Sequence, residues 1–309
     1  MTVISDKYDV VIVGGGPAGL SAAMWSIEIG MTVLMLEKEK VFGGQLHWIH
    51  NPVENYLGLN AANGIEVLKQ FERSIENRKI DRITGADVVE INATTRKVSF
   101  SDGRTVSGEI LMLATGVRRR ELGVVGESEL TGKGILRSGS RERETVKGKR
   151  VAVIGGGDAA AENALILAEY AERVYIVHRK PALAARPEFL DKVVANPKIE
   201  IIFDVVVNTF GGDEDLEWIE GRNVRSGDSF RLDVESAIVR VGVEPNSDLV
   251  LSQVECDERG YIIVDNTCLT SVDRVYAIGD VASPKSPTIA SATGMGSTAA
   301  KSAFASFIK

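Results

Sequence analysis

Two glycine-rich segments carry the clearest chemistry in this 309-residue chain. Gly14-Gly15-Gly16-Pro17-Ala18-Gly19 follows Val11-Ile12-Val13, and Gly155-Gly156-Gly157-Asp158-Ala159-Ala160 follows Val151-Ala152-Val153-Ile154. Each ends an apolar β-branched run and opens an alanine-rich stretch, the strand–turn–helix context in which such a motif binds a dinucleotide. The first glycine permits the tight turn, the second lets backbone approach a pyrophosphate, and the third position must be small for helix–strand packing. The helix N-terminus then offers unpaired N–H groups and a partial positive charge to the phosphates. Two motifs imply two dinucleotide sites, and an enzyme that holds two dinucleotides moves electrons between them.

The residues downstream of each motif separate the two sites. The strand Thr32–Leu36 ends in Glu37, placed about 20 residues on, where a carboxylate accepts from a ribose 2′-OH. The equivalent strand of the second motif, Arg173–Val177, ends in His178-Arg179-Lys180, with Arg186 close behind. A 2′-phosphate needs cations where a free 2′-OH needs a carboxylate. The first site therefore reads as FAD, held by Gly14, Gly16, Pro17, Ala18, Gly19 and Glu37. The second reads as NADPH, held by Gly155, Gly157, Asp158, Ala159, Ala160, His178, Arg179, Lys180 and Arg186. A solvated strand end at 178–180 is the plainer alternative, and the second motif would cradle a second FAD equally well.

A net charge of −7 argues against a nucleic-acid partner. No apolar run reaches the ~18 residues needed to span a membrane, and Met1–Lys7 lacks a signal-peptide core, so a cytoplasmic protein is expected. No cluster has metal-ligand spacing, so no metal is expected.

These elements require alternating strands and helices, an α/β fold with two Rossmann-like dinucleotide-binding domains. The reading changes at Val88–Ile91, Lys97–Phe100 and Arg104–Val106, which predict short antiparallel strands before a separate buried strand over 111–116. One complete dinucleotide domain lies between the breaks near 117–120 and 243–246. The expected organisation is a discontinuous FAD domain, 1–118 and 246–309, with an NAD(P)H domain, 119–245, inserted in it. In the C-terminal piece an apolar strand ends in Gly279-Asp280, whose carboxylate suits a ribityl hydroxyl. Pro287–Phe307 then predicts a small-residue helix centred on Ala290–Ala300.

Together these segments resemble the thioredoxin-reductase-like flavoproteins, the low-molecular-weight branch of the pyridine nucleotide–disulfide oxidoreductases. The matching motifs are Gly14–Gly19, Glu37, Gly43-Gly44-Gln45-Leu46, Glu54-Asn55, Ala114-Thr115-Gly116, Gly155–Glu162, His178-Arg179-Lys180 with Arg186, Gly242 with Pro245-Asn246, and Gly279-Asp280-Val281. The resemblance implies the three-layer ββα form of each domain, a homodimer, and further flavin contacts at Gly44, Gln45, Leu46, Asn55, Ala114, Thr115, Gly116, Thr288 and Ile289. It also places Glu162 at the NADPH site.

The departures bear on function. Members of that family that reduce thioredoxin carry Cys-x-x-Cys just before the second motif. Here Ser138 and Arg141 stand in those places, and neither can do thiol–disulfide exchange, which needs a thiolate. The chain's two cysteines, Cys256 and Cys268, flank a turn far along the sequence. His47 and Trp48 are candidate catalytic neighbours of the isoalloxazine, or loop residues that pack at an interface. The leading expectation is an FAD-dependent NADPH oxidoreductase without a dithiol, passing electrons to ferredoxin, flavodoxin or a small acceptor such as a quinone. A divergent or diflavin-linked disulfide oxidoreductase, and a non-catalytic flavin sensor, are the alternatives.

Overall fold

The computed structural model describes residue 5 and residues 7–307, so the expectation placed on residues 1–4 and 6 lies outside the described residues. The chain forms two compact units, 1–118 with 244–309, and 119–243. The return crossing comes two residues earlier than Pro245-Asn246 suggested.

In the first unit β1 (Lys7–Val13) leads into α1 (Pro17–Glu28) and β2 (Val33–Glu37). A hairpin of β3 (Val53–Tyr56) and β4 (Leu59–Ala61) precedes α2 (Gly64–Ile75). The Asn63 side chain accepts from Glu66 N and caps α2. Then come β5 (Asp81–Thr84), β6 (Val88–Asn92), β7 (Lys97–Phe100), β8 (Thr105–Leu113) and the start of β9 (Val117–Arg119). The sheet order is β5-β2-β1-β8-β7-β6.

β8 corrects the expectation of two strands over 104–116. It pairs antiparallel with β7 up to Ser107 and parallel with β1 from Ser107 to Leu113, so one strand serves both neighbours. Ser107-Gly108-Glu109 reads as a break in sequence. Gly108 is instead a close-approach residue: a Cβ there would lie 2.5 Å from Ile110 O and 3.1 Å from the Val11 side chain.

The second unit contains α3 (Glu127–Leu130), β10 (Arg150–Gly155), α4 (Asp158–Ala168), β11 (Arg173–Val177), α5 (Pro187–Ala195) and β12 (Ile199–Ile202). An antiparallel meander comes next, β13 (Val205–Gly211), β14 (Trp218–Asn223) and β15 (Ser229–Asp233). β16 (Ser236–Arg240) completes a parallel sheet of order β12-β11-β10-β16. β17 (Val243–Pro245) begins the return to the first unit. There β18 (Val275–Ala277) pairs parallel with β8, and α6 (Ile289–Phe307) closes the described chain. α6 is longer than the predicted core Ala290–Ala300.

Period-two alternation along the central strands builds the same three layers twice. In β1, Val10 and Ile12 face a core shared with α1, α2 and α6, while Val11 and Val13 face a second core shared with β6, β7 and residues 250–262. In β10, Val151 and Val153 face α4, while Ala152 and Ile154 face the β13–β15 meander. Strands buried on both faces read as continuous apolar runs, and these do.

Candidate functional site

The first motif is a turn between β1 and α1 whose glycines serve different neighbours. Gly14 has φ +114°, and a Cβ on it would lie 2.1 Å from Ala114 O. A Cβ on Gly19 would lie 2.0 Å from Gly14 O. Gly16 differs, since a Cβ there would meet only Gly44 Cα, 4.0 Å away. Packing therefore demands glycine at 14 and 19, whereas at 16 the space beyond the backbone is open. Pro17 and Ala18 begin α1, and its first turn holds no acidic residue to oppose a phosphate.

Glu37 is 8% exposed. Its carboxylate accepts from Gly15 N at 2.8 Å and from Glu39 N at 2.9 Å, which ties the end of β2 to the turn. The loop after Phe42 lies against the turn too, with Gly43 N donating to Gly15 O at 2.8 Å. In the 3-10 turn Gly44–Trp48, Gln45 Nε2 donates to Asp280 Oδ2 at 3.1 Å and Leu46 is buried. Burial raises the Asp280 carboxyl above its ordinary value, and the Gln45 bond opposes that rise. Thr115 Oγ1 donates to Asn246 O at 2.7 Å, and Asn246 answers to Thr115 O and Gly116 O, which joins the Ala114-Thr115-Gly116 turn to the C-terminal piece. Gly279 packs on Ala18, whose Cβ lies 2.9 Å from where a Cβ on Gly279 would be. Gly14–Gly19, Glu37, Gly44–Leu46, Ala114–Gly116 and Gly279-Asp280 thus meet at one place.

Other sequence candidates sit differently. His47 is half-buried and its Nε2 lies 2.8 Å from Phe42 O, bound to its own loop. Trp48 is 45% exposed, and Asn55 is exposed on β3. Thr288 Oγ1 accepts from Ser291 N at 3.1 Å, so this hydroxyl caps α6. Ile289 packs into the helix-side core.

The second motif has the same turn and a different cover. Gly155 has φ +145°, and a Cβ on it would lie 2.1 Å from Arg240 O; Gly157 has open space around it. The His178 ring takes the place that Glu37 holds in the first unit. It covers Gly156, where a Cβ would lie 2.4 Å from its Cε1 and Nδ1. Its Nε2 is buried without a hydrogen-bond partner, and burial, then Lys180, push the imidazole below its ordinary value. His178 is therefore a neutral lid on the turn. Arg186 is held by two acids. Its N and Nε donate to the two oxygens of Asp158, both at 2.7 Å, and Nη1 lies 3.0 Å from Glu188. Those bonds clamp the 178–186 loop onto the N-terminus of α4 and compensate the guanidinium. Arg179 and Lys180 are exposed at the end of β11. Ala159 and Ala160 lie in the first turn of α4, and burial raises the half-buried Glu162 carboxyl.

Ser138 is 4% exposed. Its Oγ lies 3.4 Å from Ser140 Oγ and accepts from Arg141 N at 3.4 Å, while Ser138 N donates to Glu142 Oε2 at 2.6 Å. The position expected for a dithiol is a hydroxyl turn. Cys256 and Cys268 are both free thiols. Burial raises both, Cys268 to about 11, so neither is a thiolate at neutral pH. Sequence reasoning missed Arg240, whose carbonyl supports Gly155; a lone arginine in the apolar run Ala237-Ile238-Val239-Arg240-Val241 was the available signal. Among the described residues no helix is long and apolar enough to cross a membrane, and no His/Cys/Asp/Glu group could hold a metal.

Comparison with known proteins bears on this arrangement. Residues 8–296 match the family model described as pyridine nucleotide-disulphide oxidoreductase. The chain is 33% identical to a thioredoxin reductase of Mycolicibacterium smegmatis over 284 residues, 91% of this chain and 90% of the relative. Among solved structures it resembles Lactococcus lactis thioredoxin reductase, with a TM-score of 0.88, 29% identity and coverage of 97% and 99% of the two chains. The thioredoxin reductase of T. acidophilum gives 0.86, 32% identity and coverage of 99% and 100%. With the paired glycine turns, these matches place the chain in the pyridine nucleotide-disulphide oxidoreductase family, as an FAD-dependent NAD(P)H oxidoreductase of thioredoxin-reductase-like fold.

Proposed function

We propose that this protein passes reducing equivalents from NADPH, through FAD, to a redox protein such as ferredoxin or flavodoxin or to a small acceptor, without a dithiol relay. The carrying observation is the 138–141 turn, where a serine hydroxyl and an arginine stand in place of the cysteine pair. When bound, the flavin accepts hydride and releases electrons, so a dithiol is dispensable for a non-disulfide acceptor. In this reading Gly14–Gly19 and the α1 N-terminus hold the FAD pyrophosphate, Glu37 meets the ribose, and Asp280, oriented by Gln45, meets the ribityl chain. Gly155–Ala160 hold the NADPH pyrophosphate. Arg179 and Lys180 bind the 2′-phosphate, and the Asp158–Arg186 clamp positions their loop. The relatives' names give no support to a second FAD. A cytoplasmic homodimer completes the reading, and sedimentation of the holoprotein checks the dimer.

The test is a DTNB-coupled assay with NADPH and thioredoxin, run beside a Cys256→Ser/Cys268→Ser double variant. The expected outcome is no thioredoxin reduction by either protein, with NADPH-dependent reduction of ferricyanide or a quinone by both. Thioredoxin reduction that disappears in the double variant would establish the disulfide reading instead.

A further inference from the structure

In the first unit α1 and α6, far apart in sequence, pack on each other through small residues. Ala18 and Ala22 of α1 and Ala292, Ala299 and Ala300 of α6 are buried in one core. How near two helices approach depends on the side chains at their contact. Gly296 of α6 is buried, and a Cβ on it would lie 2.4 Å from Ala18 O and 2.9 Å from both Ala22 N and the Ser21 side chain. Two of those neighbours are backbone and cannot swing aside. Gly294, two residues earlier on the same helix, is exposed with open space around it. One glycine of this pair answers to α1 and the other does not.

Ala18 is held a second time. Its Cβ lies 2.9 Å from where a Cβ on Gly279 would be, at a φ of +74°. Three residues along α1, Ser21 Oγ donates to Thr293 O at 2.7 Å and ties the two helices together. This grip falls on the peptide that the first turn needs most. The first N–H groups of a helix have no intrahelical partner. Gly16 is the N-cap of α1, Pro17 has no N–H, and Leu20 N already donates to Gly16 O at 2.9 Å. The donors that the first turn of α1 can offer a phosphate are therefore those of Ala18 and Gly19. Gly19 stands against Gly14 within the motif, whereas Ala18 stands against Gly279 and Gly296, more than 250 residues away in sequence.

We propose that Gly296, assisted by Gly279, is a positioning residue for the FAD pyrophosphate: it lets α6 lie directly on the Ala18 peptide and so fixes the N–H groups that meet the phosphates. This role rests on the first turn being the FAD site.

The experiment measures, for the flavin-loaded protein, the dissociation constant of FAD and the phosphorus NMR spectrum of the bound pyrophosphate in Gly296→Ala, Ser21→Ala and Gly294→Ala. Gly296→Ala should raise the FAD Kd about tenfold or more and shift the phosphorus resonances. Ser21→Ala adds no bulk and removes one bond between the helices; it should raise the Kd about threefold and shift the same resonances by less. It keeps the test readable if Gly296→Ala does not accumulate. Gly294→Ala should leave the resonances in place and the Kd within about twofold, alanine being the better helix former at an exposed position. Unmoved resonances with a Kd within about twofold in Gly296→Ala, or in Ser21→Ala where only that chain accumulates, would show that Gly296 serves packing alone and overturn the proposal. Equal losses in Gly294→Ala and Gly296→Ala would overturn it too, because the effect would then not follow the contact with α1. An unmodified protein that takes up no FAD would overturn the FAD reading itself, and this role with it.

Discussion

The two glycine turns share a backbone and differ in what leans on them. In the first unit Glu37 accepts from Gly15 N, and α1 opens with Pro17 and no acid. In the second, the neutral ring of His178 covers Gly156, and α4 opens with Asp158, tied to Arg186. A carboxylate bonded to the turn suits a ribose hydroxyl. A capped turn with an exposed basic loop suits a nucleotide that comes and goes and carries an extra phosphate. In the proposed reading, the same strand–turn–helix unit is specialised by the residue at the end of its second strand together with the Asp158–Arg186 pair.

Within the first turn the glycines should separate by function. Gly14→Ala should cost about 3 kcal/mol or more, because its Cβ would sit 2.1 Å from Ala114 O at positive φ; urea unfolding measures this. Gly16→Val should instead leave a folded apoprotein and weaken FAD about tenfold or more, since its side faces open space. Flavin absorbance after purification reads the outcome, and full occupancy would remove Gly16 from the site.

Across the second turn, Arg179→Ala should weaken NADPH about tenfold while leaving NADH nearly untouched, the worth of one charged hydrogen bond. Arg186→Ala should change NADPH by about threefold or less, because Asp158 and Glu188 already compensate it. Equal losses in the two variants would show that the clamp opens on binding.

The smallest effect concerns pH. His178 in the fold binds its proton less tightly than its ordinary value of 6.5, so the unfolded chain takes up more protons in acid. Its contribution to stability is full above that value and is lost as pH falls through the depressed folded value. The Tm gap between the unmodified protein and His178→Asn should shrink between about pH 7 and 5. A gap independent of pH would mean the imidazole is not buried neutral.

Much of this was legible because it rests on period and spacing. The continuous apolar runs Val11–Val13 and Val151–Ile154 marked the strands that lead into the two turns, and Glu37 and His178 stood at matching distances from their motifs. What escaped were long-range contacts. Nothing local in Arg186 reveals that Asp158 claims it, nor that His178 folds back over Gly156, since each depends on how a loop closes. Gly108 read as a strand break because its need, proximity to Val11 in another strand, is invisible along the chain. Thr288 lay inside the stretch that the sequence assigned to the last helix, which hid its role as the cap just outside a helix that starts at Ile289.

The most direct test of a dithiol-free reductase is an anaerobic titration of the flavin-loaded protein with NADPH, then dithionite, counting electrons taken up per flavin. The account predicts that the flavin bleaches fully with a single two-electron equivalent and that no further equivalents are consumed. Uptake of a second pair of electrons per chain, lost when Cys256 and Cys268 are replaced by serine, would reveal a redox-active disulfide and contradict it.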